Sequence, residues 1–160
     1  MPFNEKSMGK DMSYVKELAK RKSKFGIAVV SNCGYTGAAK KRLSVLQELI
    51  STGLEIDAYG SCFGRQFDYA DVNEKISEYK FFFSFENSYH CNDYITEKFF
   101  NNALLNNVVA VAWGGKRKNY EDLAPPGSFI FAEDFKSMAH LAAFLQILSQ
   151  DDEGYAAYFR

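Results

Sequence analysis

The sequence predicts an α/β fold, a Rossmann-like doubly wound parallel sheet of about five strands. Two observations carry this expectation. Short apolar runs rich in β-branched and aromatic residues alternate five times with stretches of helical spacing. No hairpin signal separates one strand from the next, so the strands must be joined by crossovers, which are right-handed in nearly all known cases.

The elements follow in order. Residues 1–24, ending in LAKRKSK, are polar and charged with a weakly helical middle (Met12 to Leu18), and they read as a leader or linker. FGIAVV (25–30) is a continuous apolar run, as expected of a strand buried on both faces. SNCGYTG is a turn-rich loop, and residues 38–51 form a helix on Leu43, Leu46, Leu49 and Ile50 with Gly53 as its C-cap. LEIDAYG (54–60) is the second strand, SCFGRQFDYA a loop, and DVNEKISEY a short helix with Asp71 at its N-cap. KFFFSFE (80–86) is the third strand, and residues 94–107 make a helix whose buried stripe is Ile95, Phe99, Ala103 and Leu104. VVAVAW is the fourth strand, followed by a loop with a helical turn at Tyr120 to Leu123, and SFIFA is the fifth. A helix over 136–149, built on Leu141, Phe144, Leu145 and Leu148, and a helical segment from Asp151 to Tyr158 complete the domain, expected over 25–160.

Composition narrows the function. With 47% hydrophobic and 16% aromatic residues the chain is globular, and 160 residues suffice for one core. A net charge of −1 gives no general attraction to nucleic acid or to anionic membrane. Any anionic ligand must then meet local cations, and Lys40, Lys41, Arg42, Lys116, Arg117 and Lys118 are the clusters available. The chain has no apolar run long enough to cross a bilayer and no signal-peptide pattern, so it reads as soluble as written. Its 3 cysteines lack metal-ligand spacing, which argues against zinc. There is no glycine fingerprint after the first strand, which argues against a nicotinamide oxidoreductase, and no P-loop.

In open parallel sheets, ligands bind beyond the carboxyl ends of the strands. This places the site among loops 31–37, 60–70, 86–93 and 113–119. The third of these is unusually long and polar, ENSYHCNDY, and runs into a helix opening Tyr94, Ile95, Thr96, Glu97, Lys98. Exposed N–H groups at a helix start suit a phosphate. A lysine in the first turn opposes the helix dipole, a conflict that an anionic ligand removes. By spacing alone, Glu97 and Lys98 fit an ordinary solvated helix as well as they fit a site. Arg42, in the helix after strand one, reads either as a second diphosphate clamp or as part of a solvated face, and the second is the commoner case for such a residue. His90 reads as a loop residue, and Asp134 as the cap of the helix that follows, with Glu133 or Asp134 the acidic residues nearest the site.

FSFENSYHCNDYITEKFFNNAL closely resembles the signature of the α1,3-fucosyltransferases, inverting enzymes that move L-fucose from GDP-fucose to a sugar hydroxyl. VVSNCG with KRLSVLQEL, IDAYGSC and NYEDLAPPGSFIFAEDF resemble the family's flanking segments, so the likeness covers about residues 25–160. The S-N-C-G, Y-G-S-C and H-C-x-D-Y-I-T-E-K details are most similar to the enzymes that fucosylate the N-glycan core. The resemblance implies the donor-binding half of a GT-B fold and a lumenal Golgi location. It assigns Arg42 and Lys98 to the diphosphate, Tyr94 and Asn87 to the same pocket, and Glu97 to ribose or fucose hydroxyls.

The family's acceptor domain, which holds the catalytic carboxylate, and its membrane anchor have no counterpart in these 160 residues. The expectation is therefore a fragment that binds GDP-fucose without a general base of its own, with a glycan acceptor handled elsewhere and no tightly bound cofactor. A catalytically inactive GDP-sugar-binding module is the alternative. No Asp-x-Asp motif is present, and Lys and Arg can neutralise a diphosphate without a divalent ion, so the sequence leaves dependence on a divalent metal open. Against a secretory-pathway background the cysteines read as oxidisable, with Cys62 and Cys91 the preferred pair and three reduced cysteines the alternative.

Overall fold

The computed structural model describes residues 12–30, 33–34, 37–68, 70–85, 103 and 106–159. Five strands, β1 (Lys24–Val29), β2 (Ile56–Tyr59), β3 (Tyr79–Phe85), β4 (Val109–Trp113) and β5 (Phe129–Phe131), form one sheet in the order β2-β1-β3-β4-β5. Every pairing is parallel, with Ile27 opposite both Asp57 and Phe82, and Phe83 opposite Val111.

The helices are α1 (Met12–Lys20), α2 (Gly37–Ser51), α3 (Val72–Ser77), α4 (Arg117–Leu123), α5 (Met138–Gln150) and α6 (Asp152–Ala156). They cover both faces of the sheet. On one face Ala28, Val30, Phe81, Phe83 and Phe85 meet Leu46 and Leu49 of α2, Leu141 and Leu145 of α5, and Tyr155 of α6. On the other, Ile27, Phe82, Ala110 and Ala112 meet Ile76 of α3, Tyr120 of α4 and Ala103. The central strands β3 and β4 are buried throughout apart from half-buried Lys80, which is why they read as unbroken apolar runs and not as alternating ones.

Residues 12–20 fall in the segment expected to be a leader. They form α1, which buries Val15 and Ala19, and Lys16 of this helix pairs with Glu153 of α6 at 2.9 Å. The spacing of Val15 and Ala19, four residues apart, is the helical signal that the flanking charges obscured. Ala103 of the expected stripe is fully buried, while Ile95, Phe99 and Leu104 lie outside the described residues.

The chain is cross-tied along the amino edge of the sheet. Tyr79 donates to Asp57 Oδ2 at 2.5 Å, bridging β3 to β2 beneath β1. Burial, and then this carboxylate, push the Tyr79 phenol well above its usual range. Lys80 Nζ donates to the Ser149 carbonyl at 2.5 Å, and Tyr155 donates to the Lys80 carbonyl at 2.6 Å. Lys22 is buried at 6% exposure and donates to the Ser77 carbonyl at the end of α3, at 2.6 Å. Burial lowers its ammonium from 10.5 to about 8.

Candidate functional site at the carboxyl rim

Strand order determines where a ligand fits. From β1 the chain crosses to β2 on one side, and from β3 it proceeds to β4 and β5 on the other, so the connections diverge between β1 and β3. In this order the crevice at that divergence is the ligand position. It is bounded by the end of β1 at Val29 and the end of β3 at Phe85.

α2 leaves the β1 side of this crevice. It turns Ala39, Arg42, Leu46 and Leu49 inward, a stripe at spacings of three, four and three residues. Arg42 is therefore not on a solvated face. It is fully buried, less than two turns from the start of the helix and close to the carboxyl rim. A guanidinium in such a place is costly without anionic or hydrogen-bonding company.

The β2 rim is fixed by close backbone approach. Gly60 has φ 103°, and a Cβ there would lie 2.1 Å from the Val30 carbonyl oxygen, so only glycine fits. Cys62 N–H donates to the same carbonyl at 3.3 Å. Next to it, the Arg65 guanidinium lies 4.4 Å over the Tyr59 ring, which packs edge-on against Phe67 at 5.2 Å.

The disulfide joins Cys33 to Cys62, with Cα atoms 5.2 Å apart, and corrects the expected Cys62 to Cys91 pair. The reason is strand order. β2 neighbours β1, so the loops after these two strands adjoin, whereas β3 lies beyond β1, about two strand spacings or 10 Å from β2.

The rim after β4 holds a further cationic group. Gly115 N–H donates to the Tyr120 hydroxyl at 3.3 Å, and a Cβ at Gly115 would fall 2.7 Å from that ring. Arg117 pairs with Glu121 at 2.7 Å and with Asp134, and Lys118 pairs with Asp122 at 2.8 Å. Arg117 and Lys118 are thus matched by carboxylates of their own chain, and Lys40, Lys41 and Arg42 of α2 lie nearer the divergence of the connections. Asp134 does not cap α5. Ser137 does, its Oγ accepting from His140 N–H at 3.2 Å. Asp71 stands at the N-cap of α3 without a side-chain cap bond.

Of the expected donor-binding residues, the structure describes Arg42. Asn87, Tyr94, Glu97 and Lys98 lie outside the described residues, as do His90 and Cys91. Strand β3 brings the chain to the rim at Phe85, immediately before that segment, and Ala103 returns it to the core. Among the described residues, no group of three or more His, Cys, Asp or Glu is placed to hold a metal ion, and no helix is long and apolar enough to cross a membrane.

The model of glycosyltransferase family 10 (fucosyltransferase), C-terminal part, matches residues 19–160. The chain belongs to this family. It is 44% identical over 135 residues to glycoprotein 3-alpha-L-fucosyltransferase A of Drosophila melanogaster, a match covering 82% of this chain and 26% of that protein. A 4-galactosyl-N-acetylglucosaminide 3-alpha-L-fucosyltransferase of Homo sapiens is 41% identical over 131 residues, covering 82% of this chain and 35% of that one. The crystal structure of an alpha1,3-fucosyltransferase with GDP-fucose superposes with a TM-score of 0.70 at 26% identity, over 89% of this chain and 39% of that chain. This fucosyltransferase-family chain thus spans between about a quarter and two fifths of the length of these relatives.

Proposed function

We propose that the chain is the donor-binding part of an α1,3-fucosyltransferase, holding GDP-fucose at the β1/β3 crevice for transfer of L-fucose, with inversion, to a glycan hydroxyl. One observation carries the reading. Arg42, fully buried, sits in the helix leaving the strand that borders the crevice, where its guanidinium fork matches the oxygens of a diphosphate. Family membership and the structural match to an enzyme with GDP-fucose support the same ligand.

In this reading the Arg42 fork and the Lys98 ammonium neutralise the diphosphate as it leaves, which favours a developing charge on GDP. Asn87 and Tyr94 line the same pocket, and Glu97 accepts from sugar hydroxyls. A general base acting on the acceptor hydroxyl is not among these residues. It is assigned to an acceptor domain opposite this rim, across a GT-B cleft. The Golgi lumen is the proposed location, consistent with an oxidised Cys33–Cys62 pair.

Calorimetric titration with GDP-fucose and GDP, beside hydrolysis and transfer assays, tests this. The expected result is saturable binding of both nucleotides by this chain without transfer, and transfer when the chain is joined to an acceptor domain. Absence of GDP binding would refute it.

A further inference from the structure

The Cys33–Cys62 bond is placed where the sheet does not need it. Val30 N–H already donates to the Tyr59 carbonyl at 2.8 Å, Cys62 N–H donates to the Val30 carbonyl, and Gly60 packs directly on that carbonyl. The ends of β1 and β2 are therefore joined by backbone contacts before the disulfide is counted. What the bond adds lies further along the chain. It fixes Cys33, beyond the last strand pairing, and the next residue, Gly34, lies against the stem of Lys40: a Cβ at Gly34 would sit 3.2 Å from Lys40 Cγ. Lys40 belongs to the first turn of α2, and Arg42 follows two residues later. A continuous mechanical link thus runs from the β2 rim through the disulfide and Gly34 to the start of α2. The far part of α2 is held independently by fully buried Leu46 and Leu49, whereas the first turn buries the small side chain of Ala39.

We infer that Cys33 and Cys62 are positioning residues for the donor site: their bond holds Cys33 and Gly34 toward β2 and, through the Gly34–Lys40 contact, fixes the first turns of α2 that carry Arg42. This rests on the GDP-fucose reading above. Because the backbone contacts and the Leu46 and Leu49 anchors remain when the bond is removed, its loss loosens the first turns of α2 and leaves the sheet intact.

The test compares the chain with its Cys33→Ser/Cys62→Ser variant, titrated with GDP and with GMP well below the melting temperature. The expected result is a loss of GDP affinity on the order of tenfold, the scale of a lost preorganised contact, with GMP affinity changed by less than about twofold. In an Arg42→Met background, removing the bond should add no further loss, since the two changes act through one contact. If the variant does not fold, the parent is treated with a phosphine, which cleaves the bond to two thiols as it takes up oxygen from water. Reoxidation by oxidised glutathione should then restore affinity. Equal GDP affinity with and without the bond overturns the inference, and so does an equal loss for GDP and GMP, the mark of general softening. Failure of the parent to bind GDP overturns the donor-site reading itself, and this inference with it.

Discussion

Arg42→Met separates the two roles a buried arginine can have. Methionine is of similar length, unbranched and apolar, so it fills the inward stripe of α2 between Ala39 and Leu46. If Arg42 is kept for a ligand, the unliganded protein loses a charge that was costly to bury, and exchange for an apolar side chain is neutral or stabilising by up to about 4 kcal/mol. Its melting temperature should then hold or rise. Binding should respond in the opposite sense. Hydrogen bonds to charged groups contribute about 1.5–3 kcal/mol, so losing the phosphate fork at roughly 2–3 kcal/mol weakens GDP about 30- to 150-fold. Arg42→Lys retains the charge without the planar fork and should fall between the two. Calorimetric titration with GDP and thermal unfolding, run on the same preparations, measure both quantities. Unchanged GDP affinity would remove Arg42 from the site. A fall in melting temperature beyond about 8 °C, roughly 3 kcal/mol at this size, would show a structural ion pair broken by losing one member.

Three further outcomes are expected. Below pH 8 the Lys22 amine is charged whether folded or unfolded, while between about 8 and 10.5 only the unfolded chain keeps the proton. Stability should therefore rise with pH, by about 2 kcal/mol between pH 7 and roughly 9.5. Urea unfolding of the parent minus that of Lys22→Met isolates this term, and a flat difference would mean a solvated amine. Gly60→Ala should cost at least about 3 kcal/mol, because it combines a glycine-only backbone region with a contact against the Val30 carbonyl. A variant as stable as the parent in urea would disprove that close approach. Ser84 on β3 is fully buried, and its hydroxyl has no hydrogen-bond partner among the described residues. Ser84→Ala should therefore gain about 1 kcal/mol, and a loss by the same measurement would reveal a partner for that hydroxyl.

The sequence announces the strands because the sheet is buried on both faces, and runs such as FFFSF and VAVAW have little other explanation. Strand order is not written in such runs. It arises from crossovers packing on one face or the other, and the disulfide expectation failed on this point: Cys62 faces Cys33 because β2 adjoins β1. Spacing alone left Arg42 open between a clamp and a solvated face for a different reason. Its place in the stripe with Ala39, Leu46 and Leu49 is visible in the spacing, but an arginine was counted as solvent-facing by its type. Met12 to Leu18 carried a helical signal too weak to outweigh the charges around it, and only its packing on α6 makes that helix part of the fold. The signature from Asn87 to Lys98 was legible by likeness alone, since helix spacing did not distinguish Glu97 and Lys98 from a solvated pair.

The ties at the two ends of the sheet differ in kind. At the amino edge, Tyr79 to Asp57, Lys80 to Ser149 and Lys22 to Ser77 connect strands and the α1–β1 link to each other and to helix ends, away from the carboxyl rim. The domain is thus clamped at its base by side chains, and at the opposite rim by the Cys33–Cys62 bond and backbone contacts. Amide hydrogen exchange should be slowest at Phe81 and Phe82, in the fully buried centre of the sheet between these two sets of ties.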